Sequence, residues 1–119
     1  MFDKLERRLA RYHAPYHEAL AAEIARKKAR FGFVIVVAGH SMPSMAKGGR
    51  EKRADIVPGS RGRTSASERV IDLVERHFLS AGMSVRHDDP YRGGWSTQRY
   101  GHPEANVHAI QIELSRALY

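Results

Sequence analysis

Apolar residues recur at three- and four-residue steps through Phe2, Leu5, Leu9, Tyr12, Tyr16, Leu20 and Ile24, with Arg, Lys and Glu filling the positions between them. One apolar stripe on a 3.6-residue repeat predicts helix over residues 2–30. Pro15 interrupts it. Its ring removes a backbone donor and restricts Ala14, so a break or kink is expected near residues 12–15, giving two helical pieces.

The pattern then changes period. Residues 33–38, FVIVVA, form a continuous run rich in β-branched side chains, the mark of a strand covered on both faces. Residues 41–60 are rich in Gly, Pro, Lys and Arg and read as a long loop. Ser65-Ala-Ser-Glu68 reads as a capping box that opens a helix, with Val70, Ile71, Leu73, Val74 and Phe78 on its buried face and Gly82 as its stop. A short strand at 83–87, a second loop at 88–103 broken by Pro90, Gly93, Gly94, Gly101 and Pro103, and a strand at 107–114 complete the chain. This order predicts a single α/β domain over residues 1–119, with crossovers long enough for parallel strand pairing.

Composition narrows the chemistry. The 119 residues include no cysteine, which excludes disulfides, thiolate metal ligands and thiol nucleophiles. The longest apolar run is too short to span a bilayer and no signal-peptide core precedes it, so a cytoplasmic protein without membrane contact is expected. Twenty Lys and Arg against 13 acidic residues give a net charge of +7, which would suit a basic nucleic-acid-binding module. No aromatic-interleaved motif or reading helix accompanies the charge, and nucleic acid is not the expected partner.

Two residues stand out for their placement. His40 follows the apolar strand directly, where ligands collect at the carboxyl ends of strands in open α/β sheets. Glu113 sits between Ile112 and Leu114, and a carboxylate in so apolar a strand is costly unless paired, protonated or linked to a metal. His40 as metal ligand and Glu113 as general base would account for both. So would a bland arrangement in which His40 ends a strand and Glu113 pairs with Arg99 or Arg116. His13 and His17 have the i, i+4 spacing that places two imidazoles on one helical face, a possible further metal site or a pair of half-exposed helix residues. Tyr91-Arg-Gly-Gly-Trp95 offers a lid or tight turn, and Asp55-Ile-Val-Pro-Gly-Ser-Arg61 offers Arg61 as a fork for a carboxylate.

Six segments in fixed order carry a resemblance: Tyr12-His-Ala-Pro-Tyr-His17, His40-Ser-Met-Pro-Ser44, Asp55-Ile-Val-Pro-Gly-Ser-Arg61, Pro90-Tyr-Arg-Gly-Gly94, Arg99-Tyr-Gly101 and His108-Ala-Ile-Gln-Ile-Glu113. Together they resemble the N-formylglutamate amidohydrolase family, which is related to the zinc carboxypeptidases. The resemblance implies a three-layer α/β fold, a mixed, mostly parallel sheet with flanking helices, incomplete here on the N-terminal side. It implies a zinc-dependent hydrolase that cleaves the amide of an N-acyl amino acid. His40 would be a zinc ligand and Glu113 the carboxylate that activates water. Arg61, Tyr91, Gly93, Gly94 and Arg99 would line the substrate side.

The chain departs from the family pattern in two ways. Ala38 stands where the family has an acidic residue, and the His-x-x-Glu ligand pair has no counterpart. The resemblance begins midway through the family's sequence, so the chain is expected to correspond to its C-terminal half. Further zinc ligands would then come from His13, His17, His87, His102, His108 or a partner chain. An incomplete sheet exposes an edge, and a homo-oligomer is expected to cover it. The rival to a working hydrolase is an inactive oligomerising remnant that binds a small carboxylate through Arg61 and Arg99.

Overall fold

The strand β3 (Val107–Ser115) lies at the centre of a three-stranded mixed sheet, between β1 (Val34–Met42) and β2 (Ile56–Gly59). The computed structural model describes residues 2–119. They form two compact units, one ending at Val34 and the other Ile35–Tyr119.

The first unit is helical. α1 (Phe2–Arg8) leads into a π-helical turn, Leu9–His13, and then α2 (Ala14–Phe31). The expected break is instead a widened turn. Arg8, His13 and Ala14 all keep right-handed helical angles, and the Ala14 N–H reaches back to Leu9 O. Pro15, with no N–H to give, directly follows this widened turn at the second residue of α2. Gly32, at φ 79°, ends the helix and donates its N–H to Lys28 O. No residue of α1 or α2 is buried; Phe2, Leu5, Leu9, Tyr12 and Tyr16 of the apolar stripe lie exposed, and Leu20 and Ile24 are half-buried.

In the second unit, β3 decides which side chains meet. Its alternation sends Ile110 and Ile112 to one face and Gln111 and Glu113 to the other. Ile110 packs with Ala66 and Ile71, flanked by Val70 and Val74 of α3 (Glu68–Ser80). The helix opens on Ser67, whose hydroxyl accepts from Val70 N. The helix is therefore capped two residues later than expected from Ser65, and with Val70 three residues on no reciprocal capping box forms. Ser65 Oγ is engaged elsewhere, donating to Ala109 O at 2.6 Å, while Ser65 O accepts the Ala109 N–H at 2.8 Å. Leu73, expected on the buried face, is exposed.

Five further expectations differ from the structure. β2 pairs antiparallel with β3, Val57 opposite Glu113 and Gly59 opposite Gln111, so the sheet is mixed rather than mostly parallel. β2 also lies inside the stretch expected to be loop. β1 is not covered on both faces: it is an outer strand flanked by β3 alone, and Ile35 and Val37 are exposed. The second expected loop contains the short helix α4 (Trp95–Tyr100), anchored by the buried Thr97 and Tyr100. The predicted strand at 83–87 is reduced to a single parallel bridge, Val85 to Ile56.

Candidate active site

Glu113 is 6% exposed on the central strand, and its Oε2 is buried with no hydrogen-bond partner. Its Oε1 accepts from Gln111 Nε2 at 3.0 Å. Burial pushes the carboxyl above its ordinary value, and the nearby positive groups His40, Arg116 and Arg53 oppose that shift. The bland alternative, a direct ion pair with Arg99 or Arg116, is not what the structure holds. Arg116 acts on Glu113 through its field, while its Nε lies 3.5 Å from Ser41 Oγ.

Several elements surround this carboxyl. β1 brings His40 and Ser41 near its C-terminal end, both exposed. The segment before β2 brings Arg53, whose Nη1 donates to Tyr91 Oη at 3.1 Å while its guanidinium lies over the Tyr91 ring, 5.3 Å from the centroid. Tyr91 thus belongs to the site through Arg53. The Gly93–Gly94 backbone sits above β2 and β3. A Cβ on Gly59 would lie 2.6 Å from Gly93 N, so only glycine at 59 admits this close approach. Gly94 N–H then donates to Gln111 Oε1 at 3.0 Å.

Arg61 forms a second group. Its Nη1 reaches Gly93 O at 3.4 Å and its Nη2 reaches Gln98 Oε1 at 3.3 Å. It borders an open cavity of about 220 Å³ lined also by Thr64, Ser65, Thr97, Gln98 and Gly101. Arg99 is exposed on α4, and neither it nor Glu113 lines that cavity. His13 and His17 lie in the helical unit with ring centroids 4.4 Å apart.

The family model described as N-formylglutamate amidohydrolase matches residues 2–119. The chain belongs to the N-formylglutamate amidohydrolase family. It is 34% identical over 115 residues to an N-formylglutamate deformylase of Pseudomonas aeruginosa, covering 95% of this chain and 43% of that protein. An N-formylglutamate deformylase of Pseudomonas putida is 27% identical over 122 residues, covering 98% and 45%. The crystal structure of N-formylglutamate amidohydrolase from Ralstonia eutropha JMP134 superposes with a TM-score of 0.88 at 35% identity, over 98% of this chain and 44% of that one. The chain spans less than half the length of each of these family members.

Zinc, implied by the family resemblance, can be tested against the side chains present. Among the described residues no group of three or more His, Asp or Glu side chains could hold a metal ion. A catalytic zinc needs three protein ligands. The described residues therefore do not by themselves compose a three-ligand zinc site. His40 and Glu113 are brought together, but His40 gains no ligand set around it.

Two features of this family member escaped the sequence reading. Gln111 could have been found, because it stands two residues before Glu113 and strand alternation puts both on one face. The second is an array of Ser60, His87 and Glu75: Ser60 Oγ is 2.6 Å from His87 Nε2, and His87 Nδ1 is 2.8 Å from Glu75 Oε1 without hydrogen-bond alignment. The residue types are those of a nucleophile, base and acid, but Ser60 is fully buried and its Oγ already accepts from Arg63 N. Asp88 further fixes the turn through Ser60 N and Gly62 N. These contacts tie Ser60, just after β2, to α3 and the 84–88 segment. No helix among the described residues is long and apolar enough to cross a membrane.

Proposed function

We propose that this chain supplies the proton-transfer half of an amide-hydrolysing site acting on N-formyl or related N-acyl amino acids. The observation that carries this reading is Glu113: a buried carboxyl, pushed toward its protonated form, with one oxygen tied to Gln111 and the other without a partner. A general base of this kind takes a proton from water as the water oxygen bonds to the acyl carbon. It then delivers that proton to the amide nitrogen as the C–N bond breaks, yielding formate and the amino acid. Arg53 and Arg116 set a positive field in which negative charge can develop.

On the substrate side, Arg61 offers a guanidinium beside an open polar cavity, suited to a carboxylate of the amino-acid portion. Tyr91, Gly93 and Gly94 form the loop between Arg61 and Glu113, and Arg99 adds positive charge on α4. The test is formate release from N-formyl-L-glutamate by the purified chain, with Glu113→Gln beside it. Release by the wild type that the substitution abolishes is expected. Release unchanged by Glu113→Gln overturns the role of Glu113, and no release by the wild type overturns activity of this chain alone.

A second copy is the proposed partner. The exposed Ile35 and Val37 on the outer strand β1 favour a homo-oligomer. Light scattering giving the monomer mass at all concentrations would dismiss it.

A further inference from the structure

Gln111 bridges the Gly93–Gly94 loop and the carboxyl of Glu113: it accepts from Gly94 N–H through Oε1 and donates to Glu113 Oε1 through Nε2, each at 3.0 Å. The orientation of its amide follows from the partners. A backbone N–H can only donate, so the amide oxygen must face Gly94. The amide nitrogen is then left facing a carboxylate, which can only accept when ionised. Gln111 is 6% exposed, so water does not compete freely for either end.

The loop is seated firmly enough to serve as an anchor. Gly93 lies directly on Gly59, the cross-strand partner of Gln111, where any side chain at 59 would strike the backbone of Arg92 and Gly93. On its other side Gly94 O accepts from Thr97 Oγ1 at 2.7 Å, and Thr97 is buried in α4. The loop, Gln111 and Glu113 therefore form one continuous hydrogen-bonded unit running from α4 to the central strand.

We infer that Gln111 is a positioning residue: it fixes the plane of the Glu113 carboxyl through Oε1, leaves Oε2 as the oxygen open to a reacting proton, and couples that arrangement to the seat of the Gly93–Gly94 loop. A ligand that lifts the loop withdraws the Gly94 N–H, frees the Gln111 amide to turn, and releases the carboxyl. A ligand that seats the loop holds the carboxyl in place. The positioning role rests on the reading of Glu113 as the proton carrier, whereas the coupling of loop to carboxyl does not.

The coupling is measured by NMR on the ¹⁵N-labelled chain, with Gln111→Met, Glu113→Leu and Glu113→Gln beside the wild type. Gln111→Met, similar in shape but without either hydrogen bond, is expected to speed exchange of the Gly94 backbone amide by about tenfold while β3 amides stay protected. Glu113→Leu is expected to shift the Gln111 side-chain amide resonances and to speed Gly94 exchange. Glu113→Gln, which keeps an acceptor, is expected to restore both toward the wild type. Gly94 exchange within twofold of wild type in Gln111→Met overturns the inference. So do Gln111 side-chain resonances that ignore Glu113→Leu, a readout that stands even where Gln111→Met fails to fold. None of these signals uses turnover, so a chain that releases no formate can still show the coupling, and a chain that hydrolyses can still lack it.

Discussion

Val57 faces Glu113 across the antiparallel β2–β3 pair, and it is completely buried. The carboxyl thus has an apolar cross-strand neighbour and only one hydrogen-bond donor, Gln111, which is why burial outweighs the attraction of His40, Arg116 and Arg53. A carboxyl whose folded pKa lies above its unfolded value adds stability in its protonated form, and that contribution is lost as pH rises through the folded value. Glu113→Gln carries no such ionisation. Its stability relative to wild type is therefore expected to grow as pH rises from the ordinary carboxylate range toward neutrality. Urea unfolding at pH 4 and pH 7 measures it, and a pH-independent difference would mean that Glu113 is solvated.

Gly59→Ala tests how the loop is seated. Gly59 does not adopt a positive φ, so the cost of a side chain there is one of space alone. The added carbon would lie 2.6 Å from Gly93 N and 2.8 Å from the Arg92 carbonyl carbon, both backbone atoms that cannot swing aside. The expected loss is about 1–3 kcal/mol, as for overpacking elsewhere. Thermal unfolding reads it, and the same variant should shift the amide resonances of residues 92–94. A stability equal to wild type would show that the loop yields.

How much of this was legible in the sequence depends on where each signal lives. β3 and α3 carry their own periodicity, and Glu113 announced itself as a carboxylate inside an apolar run. β2 was hidden by Pro58 and Gly59, which read as turn residues. The structure tolerates Pro58 because odd and even residues of β2 bond to different sides. Ile56 and Pro58 face the 84–88 segment, through Ile56 N to Ser84 O, Arg86 N to Ile56 O and Asp88 N to Pro58 O, leaving Val57 and Gly59 to bond β3. The absent proline donor therefore falls outside the β2–β3 ladder. α4 has six residues between two glycines, too short for a periodic stripe. Arg53 had no local signal at all, since its partner Tyr91 lies 38 residues away.

The Ser60–His87–Glu75 array separates structure from catalysis. His87 approaches Glu75 on α3 and Asp88 beside it, at 2.8 and 3.5 Å, while Glu75 also meets Arg63 at 3.4 Å. Arg63 in turn donates through Nε to Glu68, which holds the Glu68 carboxyl below its usual range. Removing His87 leaves Ser60 Oγ and Glu75 short of a partner, and His87→Ala is expected to cost about 1–3 kcal/mol in urea unfolding. Ser60→Ala should leave any formate release within twofold of wild type. Abolished release in a folded Ser60→Ala variant would make Ser60 a nucleophile instead of part of a clip.

Asp55 gives the opposite pH sign from Glu113 and so provides an internal control. Asp55 Oδ2 accepts from Ser84 N at 2.9 Å and from Ser84 Oγ at 3.0 Å, and Ser84 Oγ accepts from Asp55 N at 2.9 Å. The backbone and hydroxyl donors of Ser84 hold the carboxyl below its ordinary value, with the charge of Lys52 adding to them. A depressed folded pKa contributes stability above the unfolded value and loses it as pH falls through the folded one. Asp55→Ala is therefore expected to cost about 1–2 kcal/mol at neutral pH, with the cost shrinking as the solution is acidified below the ordinary aspartate range. Unfolding free energies of wild type and variant between pH 7 and pH 3 provide the comparison. A deficit that stays constant across that range would assign the loss to packing at the start of β2 and remove the charged hydrogen bonds as its cause.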